Sequence, residues 1–229
     1  MKYNNIVKGK FIDRPNRFIA NVEIEGEPQI VHVKNTGRCR EILLPDAEVF
    51  LQKSDNPNRK TKFDLVKVKK GDRIVNMDSQ APNKVVQEWL TENGLYDNTT
   101  TIIPEKTYHQ SRFDFYIEGD GKKAWMEVKG VTLEVDGAAL FPDAPSERAV
   151  KHIEHLMKAK KEGYEAYIMF VIQMEGVKYF SPNWATHPEF SKALIRARDA
   201  GVMIMAYDCI VTETELRINK PIRLYLDKN

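Results

Sequence analysis

The chain has 229 residues, of which 42% are hydrophobic and 30% are charged, and its formal net charge is +2. This length suits one large domain or two small ones, each with a core. No apolar run reaches the ~20 residues that a membrane span requires, and the first residues lack the apolar stretch of a signal peptide. The two cysteines, Cys39 and Cys209, make neither a disulfide framework nor a zinc site. The composition therefore predicts a soluble, cytoplasmic protein without a membrane partner.

Basic residues are concentrated in the first part of the chain. Residues 1–80 hold 16 Lys and Arg but only 11 Asp and Glu, whereas the other 19 basic and 22 acidic residues lie in 81–229. A basic excess suits a module that contacts phosphate backbones. The excess is modest, and a solvated surface explains it almost as well.

Residues 6–77 are predicted to form a small β-barrel. Alternating apolar residues and short apolar runs mark five or six strands, and turn-forming residues separate them. The strand signals are Ile6-Val7, Phe18 to Ile24, Ile30, Val49–Leu51, Leu65–Val68 and Ile74-Val75. Phe18 is in phase with the apolar stripe of its strand, so we expect it to pack in the core. The OB-fold is the commonest nucleic-acid-binding barrel of this size, although an SH3-like barrel would give the same signals.

From residue 81 onward the pattern predicts a mixed sheet flanked by helices, which makes the whole chain an α/β (α+β) protein. Three helices are predicted to begin at Pro82, after Ser146 and at Pro188, and to end at Gly94, Gly163 and Gly201. Residues 166–172 and 202–207 are too continuously apolar for half-exposed strands, so we interpret them as buried central strands. The predicted domains are a barrel over residues 1–80 and an α/β domain over residues 81–229.

A predicted hairpin near the middle of the chain brings together Asp114, Glu127 and Lys129. Glu127 and Lys129 are two residues apart on one strand, so both point to the same face. Grouping such charges is costly unless something compensates them, and a divalent cation held by the two carboxylates would do so. The pattern Asp…Glu-x-Lys resembles the active site of the PD-(D/E)xK nuclease superfamily. The alternative is an exposed hairpin with a solvated Glu–Lys pair.

This arrangement predicts a site for Mg²⁺ or Mn²⁺. Asp114 and Glu127 supply hard oxygen ligands, and the Val128 carbonyl is a candidate third ligand. The cation would neutralise charge on a phosphate and lower the pKa of a bound water, while Lys129 orients that water or stabilises the developing charge. Glu88, on the preceding helix, is a further candidate ligand because the superfamily often places a glutamate there; the alternative is a solvent-facing glutamate.

Two residues near the ends of predicted elements have two interpretations each. Gln173 ends the central strand at the place where related nucleases carry a glutamine beside the catalytic site, or it only satisfies backbone groups there. Asp143 precedes the long helix, where it either binds a second ion or caps the helix, and capping is the commoner use.

Two groups of basic residues are candidates for contacting DNA. In the barrel the candidates are Arg14, Arg17, Lys34, Arg38 and Arg40, which lie in or beside turns; charge of this kind tracks phosphates, and flat rings nearby stack on bases. On the long helix, Arg148, Lys151 and His155 share one face, with His152 beside them. A solvated face interspersed with glutamates is the alternative for the helix.

Several further stretches resemble the sugar fermentation stimulation protein A family. They are His32–Arg38, Asn83–Val86, Glu127–Gly130, Phe141–Ala144, Lys151–Leu156 and Phe170–Gln173. The resemblance covers essentially the whole chain. It implies an N-terminal OB-like β-barrel followed by a mixed-sheet, PD-(D/E)xK nuclease-like α/β domain, with DNA as a partner and a link to the regulation of sugar (maltose) metabolism.

The function predicted from these patterns is a divalent-metal-dependent DNA nuclease. Nuclease activity is implied by the fold and by the Glu-x-Lys motif, not by the family name. A non-catalytic, DNA-binding regulatory protein that retains the nuclease fold is the alternative, and a protein-interaction scaffold is a third hypothesis. The sequence leaves open whether DNA or RNA is bound, the strand preference, and the oligomeric state, a homodimer included.

Overall fold

The computed structural model of the chain describes residues 1–35 and 37–228, so Thr36 in the predicted barrel motif lies outside the described residues. The first six strands are Ile6–Asp13 (β1), Ile19–Ile24 (β2), Glu27–Val33 (β3), Glu48–Lys53 (β4), Phe63–Lys70 (β5) and Arg73–Asn76 (β6). Their sheet order is β3-β2-β1-β4-β5-β6, and β3 also pairs with β5. Strands β1 to β5 therefore close into a five-stranded barrel, which confirms the predicted OB-like domain.

The barrel core follows the predicted alternation, with one exception. Ala20 and Val22 of β2 are completely buried, whereas Phe18 is 51% exposed. The prediction for Phe18 was wrong because the strand begins only at Ile19. The Asn16 side chain accepts hydrogen bonds from the N–H groups of Phe18 and Ile19, and this turn directs the Phe18 ring to solvent.

The remainder of the chain forms a mixed α/β domain. Its strands are Thr99–Tyr108 (β7), Ser111–Gly119 (β8), Lys122–Val131 (β9), Leu133–Val135 (β10), Ala138–Phe141 (β11), Glu165–Ile172 (β12), Tyr179–Pro182 (β13), Met203–Val211 (β14) and Leu216–Pro221 (β15). Its helices are Ala81–Asn93 (α1), Glu147–Lys161 (α2) and Pro188–Asp199 (α3). The main sheet has the order β15-β14-β12-β9-β8-β7, and β10, β11 and β13 form a smaller sheet. Strands β9, β12 and β14 run parallel, which confirms the predicted mixed sheet.

Helices cover both faces of the main sheet. The buried residues of α1 pack in one apolar cluster with Phe115, Met126 and Met169, and those of α2 and α3 pack on the other face with Ile168 and Phe170. Strand β12 is buried on both faces, as predicted. The expectation of a buried strand at 202–207 was wrong for most of its residues, because Met203 is 51% exposed and Ile204, Met205 and Tyr207 are only partly buried. Strand β15 pairs only with residues 207–211 of β14, so the first half of β14 lies at an edge of the sheet.

The barrel and the α/β domain are joined by a buried polar network. Asp78 is completely buried, and its carboxylate pairs with Lys34 Nζ at 2.8 Å and accepts a hydrogen bond from the Tyr3 hydroxyl at 3.3 Å. Asn76 donates to the same hydroxyl and accepts from the Gln173 amide at 2.8 Å. The segment between β6 and α1 is therefore held by contacts from both sides. Among the described helices, none is long and apolar enough to cross a membrane.

Candidate metal centre and nucleic-acid surface

The hairpin of β8 and β9 separates at Asp114. The antiparallel ladder pairs residues 115–119 with residues 122–126 and stops before Asp114. The Asp114 carboxylate instead accepts a hydrogen bond from the Val128 N–H at 2.7 Å and another from the Asn83 side chain of α1, also at 2.7 Å. The carboxylate thus occupies the position of a backbone carbonyl opposite Val128, between two strands and the first turn of a helix.

Glu127 is buried on the α2 side of the same hairpin, with an exposed fraction of 3%. Its Oε1 accepts a hydrogen bond from Lys129 Nζ at 2.6 Å and a second from His152 Nδ1. Arg148 Nε lies 3.4 Å from His152 Nε2, so we assign the ring proton to Nδ1, which faces the Glu127 carboxylate. The common face of Glu127 and Lys129 is confirmed, and the burial of Glu127 excludes the exposed-hairpin alternative.

The two carboxyl groups have opposite pKa shifts. Burial, together with the negative charge of Glu127, raises the pKa of Asp114 above its usual value, although the hydrogen bonds from Val128 and Asn83 act in the opposite direction. Burial also raises the pKa of Glu127, but the His152 hydrogen bond and the charge of Lys129 outweigh it, so the net pKa is below its usual value. Glu127 therefore stays ionised, and Asp114 is the carboxyl that protonates first.

The oxygen atoms around Asp114 fit a hard divalent cation such as Mg²⁺ or Mn²⁺. Glu127 Oε2 is buried and has no hydrogen-bond partner among the described residues, and an orphaned buried oxygen of this kind is often explained by an ion or a water. The N–H and C=O of one strand residue point to the same neighbouring strand, so we expect the Val128 carbonyl to face Asp114. The described residues hold no cluster of three or more acidic, His or Cys ligands, but Mg²⁺ commonly keeps several waters and needs only one or two carboxylates.

The raised pKa of Asp114 predicts pH-dependent cation binding. A proton on Asp114 competes with the cation, so Mn²⁺ affinity should fall with decreasing pH before the ordinary carboxyl pKa of about 3.9 is reached. In Asp114→Asn the affinity should be weaker, and this pH dependence should be lost. Titration calorimetry with Mn²⁺ at a series of pH values from neutral to mildly acidic checks this, and an identical pH profile in the two proteins would contradict it.

The side chains of Glu88 and Gln173 bond to groups other than the two carboxylates. The Glu88 carboxylate is 2.6 Å from the Met1 amino group, with which it forms an ion pair. Gln173 donates its amide N–H groups to the Asn76 side chain and to the Asp78 backbone carbonyl, so one of its two acceptors is a backbone group. The Gln173 Oε1 atom lies so close to Gly130 that a Cβ atom added to this glycine would be 2.5 Å from it.

The face of α2 differs from the prediction at His152. This residue is only 7% exposed and is a buried partner of Glu127, not part of an exposed basic surface. The sequence carried a signal for this, because His152 is three residues after Ala149 and one before Ile153, within the apolar stripe. Arg148 and Lys151 are exposed, as predicted. Ser146 caps the helix through the Ala149 N–H, so Asp143 does not.

The basic residues of the barrel differ in their surroundings. Arg14 donates hydrogen bonds to the carbonyls of Asn35, Gly37, Arg38 and Arg17, so it holds the loop after β3 against the turn before β2. Lys34 is paired with Asp78. Arg17, Arg38 and Arg40 are exposed, and the Arg17 guanidinium lies 5.0 Å from the centre of the Phe18 ring. The surface beside β2 therefore carries exposed arginines and one exposed aromatic ring, that of Phe18.

Comparison with known proteins agrees with this architecture in both domains. The profile described as "SfsA N-terminal OB domain" matches residues 12–77, and the profile described as "Sugar fermentation stimulation protein RE domain" matches residues 80–215. The chain belongs to the sugar fermentation stimulation protein family. A sugar fermentation stimulation protein homologue from Clostridium beijerinckii is 59% identical to this chain, over 95% of this chain and 96% of the relative. A homologue from Ruminiclostridium cellulolyticum is 56% identical to this chain, over 99% of this chain and 100% of the relative.

A solved structure of the family has the same fold. It is described as Pyrococcus furiosus SfsA in complex with Ca²⁺, and it superposes with a TM-score of 0.86 at 26% identity, covering 98% of each chain. The arrangement of a barrel before a mixed-sheet domain is therefore a property of the sugar fermentation stimulation protein family. Asn83, which holds Asp114, was not predicted as a site residue, although it lies in one of the stretches that resemble this family.

Proposed function

We propose that the protein is a divalent-cation-dependent nuclease that hydrolyses phosphodiester bonds in DNA. The observation that carries the proposal is the buried, unpartnered Oε2 of Glu127 beside Asp114, whose pKa is raised by burial and by the Glu127 charge. A carboxylate oxygen that is buried without a partner, near the charge of a second, partly buried carboxylate, is unfavourable unless a cation compensates it. The Pyrococcus furiosus relative, described as a complex with Ca²⁺, supports a divalent cation in the family.

The residues around Glu127 have separable roles in this proposal. When bound, Mg²⁺ or Mn²⁺ would neutralise phosphate charge and lower the pKa of a bound water. Asp114, Glu127 and the Val128 carbonyl would hold the cation. His152, itself contacted by Arg148, keeps Glu127 ionised and fixed in orientation. Lys129 lies next to the ligands and stabilises negative charge that develops on the phosphate.

The barrel supplies the DNA-binding surface in this proposal. Exposed Arg17, Arg38 and Arg40 contact phosphates, and Arg148 and Lys151 extend the basic surface along α2. Phe18 offers an exposed ring, the kind of platform on which unpaired bases stack. Arg14 and Lys34 act indirectly, because their side chains are bound to carbonyls and to Asp78 and so fix the shape of the loop that presents Arg38.

A cleavage assay tests the proposed activity. Labelled single-stranded and double-stranded DNA and RNA are incubated with the protein and Mg²⁺, Mn²⁺ or EDTA. We expect cleavage of DNA that requires the cation and is abolished by EDTA. Protein that binds DNA in a salt-dependent manner but cuts nothing with either cation would contradict the nuclease and favour the non-catalytic DNA-binding regulator.

Replacement of Phe18 by alanine should weaken binding to single-stranded DNA. Loss of one base-stacking contact costs about 1–3 kcal/mol, and the middle of that range corresponds to roughly thirtyfold in affinity. Fluorescence anisotropy with a labelled oligonucleotide measures the change. The matched control is Tyr225→Ala, which removes another exposed ring that lies beside an arginine, Arg223, at the opposite end of the chain. Equal losses in the two variants would contradict a specific role for Phe18.

A further inference from the structure

A cavity lies at the junction of the barrel and the α/β domain. Its volume is about 290 Å³, at the lower limit of the range of roughly 300–1,000 Å³ found for small-molecule sites. It therefore suits a single ring system and not a longer stretch of polymer. Its walls come from the barrel loop (Asn35, Gly37), from residues 130–133 at and after the end of β9, and from Leu140, Phe141 and Asp143 before α2.

The cavity combines apolar walls with hydrogen-bond acceptors. Leu133, Leu140 and Phe141 provide apolar surface. The two N–H groups of Gln173 are directed to the acceptors Asn76 Oδ1 and the Asp78 carbonyl, which fixes the orientation of the amide. Its Oε1, over Gly130, and the Asp143 carboxylate receive no hydrogen bond from any described residue. The cavity therefore favours a flat ligand that carries N–H donors.

The cavity is close to the proposed metal centre along the chain. Gly130 is three residues after Glu127 on one strand, which corresponds to about 10 Å. A single DNA strand held at the metal centre can therefore reach the cavity within a few nucleotides. The exposed Arg38 directly follows Gly37 in the cavity wall, where it can contact the phosphates of the same strand.

We propose that this cavity binds one nucleobase of the DNA strand held at the metal centre, with guanine preferred. The inference rests on the proposed DNA-binding function. Guanine presents N1–H and N2–H side by side on its Watson–Crick edge, and a carboxylate can accept both. Thymine presents a single N–H on that edge. Unpaired bases of a single strand expose these edges and are the ones read in this way.

The test compares two labelled single-stranded octanucleotides in the presence of Ca²⁺, one of eight thymines and one with a single central guanine. Fluorescence anisotropy should show that the wild-type protein binds the guanine-containing strand about tenfold more tightly, as expected for one good bidentate contact. Thr132→Trp fills the cavity from the connection after β9, and Asp143→Asn removes the carboxylate. Both variants should still bind the all-thymine strand but lose the guanine preference. Thr107→Trp, on the exposed surface of β7, is the matched control and should keep it.

Each outcome decides between the inference and the function on which it rests. Equal binding of both strands by the wild-type protein would overturn the base site and leave the DNA-binding function standing. A guanine preference that persists in Thr132→Trp would place the base elsewhere and also overturn the inference. Failure of the wild-type protein to bind either strand would overturn the proposed function itself. If Thr132→Trp does not fold, Asp143→Asn alone decides.

Discussion

The Glu127→Gln variant is expected to lose DNA cleavage by about 10²- to 10³-fold, the scale on which a single group that stabilises transition-state charge acts. The neutral amide keeps the shape of the side chain but provides a weaker ligand and no longer balances Lys129. Initial cleavage rates at saturating Mn²⁺ measure the loss. Glu118→Gln, on the other strand of the hairpin and outside the contacts of the metal centre, is the matched control and should retain full activity.

Thermal unfolding separates a loss of cation binding from a loss of folding in Glu127→Gln. A ligand that binds only the folded protein raises Tm, so Mn²⁺ should raise the Tm of the wild-type protein and of Glu118→Gln but have little effect on Glu127→Gln. Without cation, a single cooperative unfolding transition in Glu127→Gln would show that the variant is folded. An unchanged Mn²⁺ effect together with unchanged cleavage would show that Glu127 is not a ligand.

The Lys67→Met variant is expected to lose about 3 kcal/mol of the free energy of unfolding, because it leaves buried acceptors without a donor. Lys67 is 0% exposed although it lies in a barrel strand. Its ammonium donates to the carbonyls of Thr212, Glu213 and Glu215 at 2.7, 2.9 and 3.2 Å and lies 4.5 Å from the Tyr3 ring centre. Three carbonyls of the turn between β14 and β15 are thus held by one side chain from the other domain.

Urea unfolding followed by circular dichroism measures this loss. Lys69→Met is the control, because Lys69 lies on the same strand but is exposed, and its ammonium forms only a loose ion pair with Glu48 at 3.9 Å. Surface substitutions of this kind change the free energy of unfolding by about 0.5 kcal/mol or less. Equal losses of stability in the two variants would contradict the role of Lys67 in joining the two domains.

The pH dependence of the same two proteins gives an independent readout. Burial lowers the pKa of Lys67 from 10.5 to about 8. Between these two values the unfolded chain keeps the proton and the folded chain releases it, so the stability of the wild-type protein should rise with pH relative to Lys67→Met. Below about pH 8 both states carry the proton, and the difference between the proteins should be constant.

The sequence was most informative where a local pattern determines the structure. Turn residues and alternation located the barrel strands, and the apolar run at 166–172 identified the central strand. Strand β7 was not predicted because it contains Pro104, a residue that argues against a central strand but that sheets tolerate at an edge, where β7 lies. The burial of Lys67 was also not predictable, because its position between Val66 and Val68 in an alternating strand predicts an exposed side chain. It is buried because its ammonium binds a turn that is 145 residues away in the sequence.

The candidate site was predictable in its chemistry but not in its contacts. The i, i+2 spacing placed Glu127 and Lys129 together, and the long-helix pattern contained enough information to bury His152. Nothing local indicates that Asn83 holds Asp114 or that Gln173 bonds to Asn76, because these pairs are 31 and 97 residues apart. Contacts of this kind appear only when helix α1 and the barrel are assembled around the hairpin.

The buried network around Asp78 fixes the distance between the barrel and the proposed metal centre of the α/β domain. Lys34, Tyr3 and Gln173 hold the segment between the domains from both sides, so in the proposed nuclease we expect a fixed spacing between the loop that carries Arg38 and the carboxylates of the hairpin. A strand that touches both would be cut at a constant number of nucleotides from the point where the barrel grips it. The lengths of the DNA fragments would then reflect the distance between the two domains that the contacts of Asp78 hold constant.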